Sequence, residues 1–275
     1  EIEESEESEE REERDECRKR WLGYLCCLVF FLFWGFDIVQ AQEQPPVFNH
    51  VAQIKGDIEF FSTDHLGNIY VVEGHQIKKY GISGILQETF SNKNFGAIAV
   101  LDASNPLRVL VYYRDFGTIM FLDDELSLIG SVISLVDFGF DQATLICASW
   151  DDGIWLYDPQ DFQLKRMDQH LKTAHRSGNI GQLVGVEMNP NYMVESNNFV
   201  YLNNPQHGIL VFDQYGTYFK TIPLKGLEQF QLNGDQVFFE EEGKLKSYNL
   251  KLFTENSGNM LSLDSEEKGP FETLM

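Results

Sequence analysis

Between residues 58 and 90 the chain reads IEFFSTDHLGNIYVVEGHQIKKYGISGILQETF, and its apolar positions fall into four short runs. The runs cover 58–63, 69–72, 77–80 and 85–90, and the polar stretches 64–68, 73–76 and 81–84 divide them. The runs are rich in Ile, Val, Tyr and Phe, which suit a pleated, half-buried surface. The dividing stretches carry Gly, Asn and Asp, which tolerate the positive φ of a tight hairpin. Four antiparallel strands in 33 residues form a meander, the size of one propeller blade.

The same alternation returns along the chain. A second unit has runs at 97–101, 108–113, 118–122 and 126–131, and a third at 136–140, 144–149, 153–157 and 162–167. A fourth uses 192–195, 199–203, 208–212 and 217–222, and a fifth 229–232, 236–240 and 244–248. The third run of each unit ends on an apolar residue followed by a turn: Tyr80, Leu122, Tyr157, Phe212 and Tyr248, spaced by 42, 35, 55 and 36 residues. Periods in this range belong to propeller blades. The pattern predicts an all-β chain forming a single five-bladed β-propeller, with the spacing of 55 assigned to an insertion at 168–190. The alternative is six blades, with that insertion as a thin extra one. The fifth unit lacks an outer strand. The spare run at 47–55 is expected to supply it and close the ring, with 251–255 as the competing candidate.

Two motifs sharpen the fold. Asp64-x-x-Gly67-Asn68-Ile69-Tyr70-Val71 resembles the front half of an NHL-type propeller repeat, and Gly208-Ile209-Leu210-Val211-Phe212-Asp213-x-x-Gly216 resembles the back half. No single unit holds the whole pattern, and Glu73 stands where the repeat usually has Asp. The resemblance covers 58–248 and implies a toroid of four-stranded blades. It implies no activity, because one fold hosts both binders and enzymes.

The N-terminal region follows a different logic. Residues 1–17 are acidic and of low complexity, a composition that does not bury enough apolar surface to order itself. Arg18-Lys19-Arg20 then precede an apolar run at 21–36, and Val39-Gln40-Ala41 follows. A basic flank, an apolar core and small residues in that order make 18–41 a secretory signal segment, with cleavage expected after Ala41. An uncleaved anchor is the alternative, but 16 apolar residues fall short of the roughly 20 that span a bilayer. Residues 42–46 end in Pro45-Pro46 and form a linker. The propeller is expected over 47–255 and a flexible tail over 256–275.

Charge and cysteine content narrow the chemistry. Of the net charge of −22, residues 1–41 carry −7 and the remainder −15. An acidic chain is a poor match for nucleic acid or an anionic membrane. Cys17, Cys26 and Cys27 lie in the segment expected to be removed, which leaves Cys147 alone, with no disulfide framework or metal spacing. Cys147 lies in an apolar run and reads as a core thiol. The neighbouring acids Asp123-Asp124 and Asp151-Asp152 point to opposite faces if they lie on strands, so adjacency makes no catalytic dyad. His170 and His175 stand five apart beside Arg176 without further ligands. No phosphate loop or nucleophile elbow occurs. Catalytic residues, metal ligands and cofactors are therefore not assigned.

In a propeller, the turns between second and third strands share one face with the inter-blade loops. Tyr113, Arg114, Asp115, Trp150, Asp151, Asp152 and His207 are assigned to those turns, and are expected together on one face near the axis. Exposed aromatic and Arg side chains are favoured interface anchors; the alternative is that Trp150 folds down onto its own blade as packing. The function read from the sequence is a non-catalytic exported propeller, acting as an interaction scaffold or binding module at the cell envelope. The expected partner is an envelope or secreted protein, with no nucleic acid and no membrane embedding of the mature chain. The alternative is a propeller enzyme or small-ligand binder, hydrolase or lactonase-like, with its site at the central channel.

Overall fold

The structure, a computed structural model, describes residues 51–140 and 142–257. The acidic segment 1–17, the signal segment 18–41, the linker 42–46 and residues 258–275 lie outside the described residues. Blade 1 comprises β1 (Phe60–Thr63), β2 (Ile69–Glu73), β3 (Gln76–Tyr80) and β4 (Leu86–Ser91). Blade 2 comprises β5 (Val100–Asp102), β6 (Val109–Tyr113), β7 (Thr118–Leu122) and β8 (Leu128–Ser134). Blade 3 comprises β9 (Leu145–Ala148), β10 (Ile154–Asp158), β11 (Gln163–Met167) and β12 (Thr173–Arg176). A short helix, α1 (Ile180–Val184), leads to blade 4: β13 (Tyr192–Ser196), β14 (Phe199–Asn204), β15 (Gly208–Asp213) and β16 (Tyr218–Ile222). Blade 5 comprises β17 (Gln231–Asn233), β18 (Gln236–Glu241), β19 (Lys244–Asn249) and β20 (Thr254–Ser257). Each sheet is antiparallel with its strands in chain order, which makes the molecule an all-β, five-bladed propeller. The first strands are innermost: β1 meets β5, β5 meets β9, and β9 meets β13.

Side-chain alternation explains how the blades stack. On β6, Val109, Val111 and Tyr113 join Tyr70, Val72 and Ile77 of blade 1. The intervening Leu110 and Tyr112 join Ile146, Ile154 and Leu156 of blade 3. Both faces of β6 are covered, so all five of its residues are buried and none is charged. Equivalent apolar clusters join blades 3 and 4 around Trp155, Tyr157, Leu202 and Phe212, and blades 4 and 5 around Tyr201, Val211, Val237 and Phe239. Each fully buried Val, Leu or Phe contributes about 1.5–3 kcal/mol, so these seams dominate the fold's stability. A fifth cluster lies on the other face of blade 1, where Ile54 and Ile58 cover Ile69 and Val71.

Three expectations are corrected. Residues 136–140 are not a strand: Leu135–Phe138 is a 3-10 turn ending at Gly139 with φ 77°. The run at 144–149 is therefore the first strand of blade 3, and each later strand moves inward by one place. The outermost strand is β12, which lies within the supposed insertion at 168–190. A shared turn shows why the phase was hidden. After the third strands of blades 2, 3 and 4 an Asp Oδ1 accepts two backbone N–H groups: Asp123 from Glu125 and Ser127, Asp168 from His170 and Lys172, Asp213 from Tyr215 and Thr217. The fourth residue of each turn has positive φ: Leu126, Leu171 and Gly216. Tyr157-Asp158 imitates this ending, since Asp158 Oδ1 accepts from Gln160 at 2.9 Å and Phe162 has φ 54°, but it closes a second strand. With Met167 as the true mark, the steps from Leu122 and on to Phe212 are both 45 residues.

The third correction concerns blade 5. Its outer strand is β20, from the C-terminal side, so the candidate at 251–255 is close to correct, and the described part of the run at 47–55 supplies no closing strand. Residues 51–55 form no strand. Ile54 instead packs on blade 1.

Candidate functional site

Strand direction sorts the loops into two faces. Turns between first and second strands lie on what is called the top face here, together with turns between third and fourth strands. Turns between second and third strands lie on the bottom face. Trp150, Asp151 and Asp152 join β9 to β10 and so belong to the top. Arg114 and Asp115 join β6 to β7, and His207 joins β14 to β15, so these belong to the bottom. The expectation of one shared face is thus corrected, and the shifted phase of blade 3 is the reason. Tyr113 lies on neither surface: it is buried in the blade 1–2 seam against Phe95, at 5.7 Å between ring centroids. Burial pushes its hydroxyl pKa up to about 12.

On the top face a series of hydrogen bonds ties successive blades at the ends of their inner strands. Ser62 Oγ accepts the Ala103 N–H at 3.1 Å, joining blades 1 and 2. Asp102 Oδ2 accepts the Ala148 N–H at 2.8 Å, joining 2 and 3. Glu195 Oε1 accepts the Trp150 N–H at 3.3 Å, joining 3 and 4. Asn197 donates to the Gly234 carbonyl at 3.4 Å, joining 4 and 5. Arg108 of blade 2 also donates to the Asp152 carbonyl at 2.7 Å.

Within this frame Trp150 projects outward with 66% of its surface exposed. It does not pack down onto its blade. Beneath it lies Arg166 of β11, which is buried, with its guanidinium carbon 5.8 Å from the indole ring centre. Arg166 Nε donates to Ser149 Oγ at 3.1 Å, and Nη2 pairs with Asp151 Oδ1 at 2.5 Å. A cation facing an indole is attractive, and a buried cation needs its counter-charge. Glu195 completes the group. Burial raises its carboxyl pKa above the ordinary range, while Ser149, the Trp150 N–H, Trp155 and the Arg166 charge pull the other way. Glu195 Oε2 and Trp155 Nε1 are both buried in this group. Arg166 and Glu195 were not singled out by sequence. The available signal was a pair of adjacent cations, Lys165 and Arg166, set between Leu164 and Met167 in a strand-like run.

The bottom face holds a different chemistry. Arg114 Nη2 donates to the Thr144 carbonyl at 3.1 Å. Asn203 and Asn204, both fully buried, donate to the carbonyls of Leu227 and Glu187 at 2.6 and 2.9 Å, and Asn203 also donates to Asn191 Oδ1 at 2.7 Å. His207 stands half-buried in the adjoining turn, its N–H bonded to the Asn204 carbonyl at 2.8 Å. Between Arg114 and the chain entering blade 4 is a recess of about 420 Å³, lined among others by Thr144, Tyr157, Met188 and Asn191. Cys147 is fully buried, and burial pushes its thiol well above the ordinary range. His170 is exposed, and His175 stacks edge-on against Tyr215 at 5.3 Å. Among the described residues no three His, Cys, Asp or Glu side chains converge as a metal set, and no helix is long and apolar enough to cross a membrane.

Sheet topology and blade stacking define the class: this is a β-propeller protein. No protein-family model matches the chain, and no curated protein matches it. Among solved structures it is similar to a streptogramin B lyase, with 10% identity and a TM-score of 0.53 over 78% of this chain and 87% of that one. It is similar to a catalytically inactive variant of virginiamycin B lyase from Staphylococcus aureus with quinupristin, with 14% identity and a TM-score of 0.50 over 74% and 71% of the two chains. It is also similar to a chain of a nidogen/laminin complex, with 11% identity and a TM-score of 0.50 over 72% and 78%. At such identities the likeness extends to the fold alone, and these proteins span lyases and a protein complex.

Proposed function

We propose that this chain is an exported, non-catalytic propeller that serves as an interaction scaffold or binding module at the cell envelope, with a protein partner docking on its top face. The observation that carries the reading is Trp150. A large indole stands 66% exposed, over the buried Arg166 that pairs with half-buried Asp151, and its backbone N–H is held by Glu195. A rigid aromatic anchor loses little conformational freedom on binding, which is why Trp and Arg dominate interface hot spots. Export is supported by the order of Arg18-Lys19-Arg20, the apolar run 21–36 and Val39-Gln40-Ala41. The net charge of −15 over residues 42–275 disfavours nucleic acid as the partner.

The test places a photo-crosslinking amino acid at position 150, and separately at position 116, where exposed Phe116 occupies the bottom face. In exporting cells the reading predicts one dominant protein adduct from position 150 and none of the same mass from position 116. Equal labelling from both positions, or none from position 150, contradicts it. N-terminal sequencing of the exported chain tests cleavage after Ala41 independently.

A further inference from the structure

We infer that the top end of the seam between blades 4 and 5 is a pocket for one phenolic ring, the tyrosine side chain of a protein that docks on this face. The inference deepens the docking reading and rests on it for the partner being a protein. The turns 197–198, 234–235 and 250–253 around the pocket lie on the same face as Trp150. The first observation is a missing side chain. Blades repeat one unit, so equivalent positions can be matched by register. Lys79, Arg166 and Val211 each stand just before the register shift of a third strand, opposite Tyr70, Trp155 and Tyr201. Each of the first three seams carries a cation beside a ring at its top end. Lys79 donates to the Asp124 carbonyl of blade 2 at 2.6 Å and lies 5.7 Å from the Tyr70 ring centre. Arg108 lies 3.5 Å from the Phe121 ring centre and reaches the Asp152 carbonyl of blade 3. Arg166 lies beside Trp150 and pairs with Asp151. Val211 is too short to do the same, and the seam stays open as a crevice of about 170 Å³. A cavity of roughly 150 Å³ accepts one benzene ring.

The second observation is Tyr201. It lines the crevice and is 6% exposed. Its hydroxyl has no hydrogen-bond partner among the described residues, yet it is not one of the sealed polar atoms, as those of Tyr113 and Tyr157 are, so it opens on the crevice. Burial and the charge of Asp235 raise its pKa, so the hydroxyl stays neutral and suits a neutral hydroxyl as its partner. In blade 1 the equivalent Tyr70 hydroxyl is already satisfied by Asp64 Oδ2 at 3.1 Å. Phe199 and Phe219 form one wall, with ring centres 5.4 Å apart, and Phe219 is 60% exposed. An aromatic wall beside an unpaired hydroxyl fits a ring with a polar tip. The rim sets the charge. Lys251 pairs with Asp235 at 2.5 Å, and Lys220 lies 5.7 Å from the Phe219 ring and 4.9 Å from that of exposed Phe253. Two ammonium groups repel a cation such as fills the other seams, whereas Lys220 is attracted to the face of an electron-rich ring.

The test titrates the full chain with p-cresol, toluene, N-acetyl-tyrosinamide and N-acetyl-phenylalaninamide, followed by amide chemical shifts. The two phenols should saturate at millimolar concentration and shift the residues lining the crevice. Each should bind about fivefold more tightly than its counterpart without the hydroxyl. Tyr201→Phe should erase that preference while the melting temperature stays within about 2 °C of wild type. Phe219→Ala alters an exposed wall and should weaken both phenols about fivefold. A photo-crosslinking amino acid at position 253 should yield the same protein adduct as position 150. Equal affinity for p-cresol and toluene, shifts confined to other regions, or full affinity in Phe219→Ala would overturn the pocket. Binding of p-cresol without N-acetyl-tyrosinamide, or no adduct from position 253, would overturn a tyrosine side chain as the occupant. An adduct from position 253 with none from position 150 would overturn the Trp150 reading and support this pocket.

Discussion

The carboxylate of Glu195, on the inner strand of blade 4, accepts the backbone N–H of Trp150 in blade 3 at 3.3 Å. Its pKa is raised above 4.5, mainly by burial, which fixes the sign of a pH effect. At low pH the carboxyl is protonated in both folded and unfolded chains and nothing is lost. As pH rises through the folded value the native state takes on a buried charge, and stability falls relative to a neutral side chain. Glu195→Gln keeps an acceptor for Trp150 and removes the charge. The variant should gain on the wild type as pH rises from about 4 to about 7 and hold that gain above. Thermal melts of both proteins across this range provide the check. A difference independent of pH would show that the carboxyl is not perturbed.

Gly208 opens β15 at φ 116°, and a Cβ there would meet the Ile222 carbonyl oxygen at 2.3 Å. That oxygen belongs to the backbone of β16 and is not free to move aside. Gly208→Ala should cost about 3 kcal/mol, since strain and overlap add. Gly243, at φ 73° with open space around its would-be Cβ, carries strain alone, and Gly243→Ala should cost about 1 kcal/mol. For a chain of this size each kcal/mol lowers the melting temperature by about 2–4 °C. Equal losses for the two variants would mean that the β15–β16 ladder does not hold the backbone as described.

Most of the fold was legible because the seams bury both faces of the inner strands. Stretches such as VLVYY and TIMFL have no other reading than strands covered on two sides. Blade 3 was misphased for a local reason. Its true third-to-fourth turn has Leu171 where blades 1 and 4 have Gly84 and Gly216, so the glycine signal was missing. Asp158-Pro159-Gln160-Asp161 offered a better-looking turn one strand too early. The site inherited that error, because the face of a turn depends on the parity of the strands before it. Arg166 and Glu195 were invisible for another reason: their pairing runs across loops and blades, and strand alternation says nothing of it.

The outer strands raise a separate expectation. β4, β12, β16 and β20 contain Glu88, Arg176, Lys220 and Glu255, whereas β8 reads LIGSVIS without a charge. Leu128 at its start is 47% exposed. An uncharged apolar edge strand is a template for association. Leu128→Lys should raise the concentration at which light scattering sets in, with stability changed by no more than about 0.5 kcal/mol. Unchanged scattering would mean that the edge is not the site of self-association.

The central claim is that Trp150 is an interface anchor and not a core residue. The deciding measurement is the affinity of Trp150→Ala for the protein captured at position 150, taken beside its melting temperature. An anchor contributes about 2 kcal/mol or more to binding, so affinity should fall about thirtyfold while the melting temperature stays within about 2 °C of wild type. Unchanged affinity, or a fall in melting temperature of more than about 5 °C, would contradict the account and return Trp150 to a structural role.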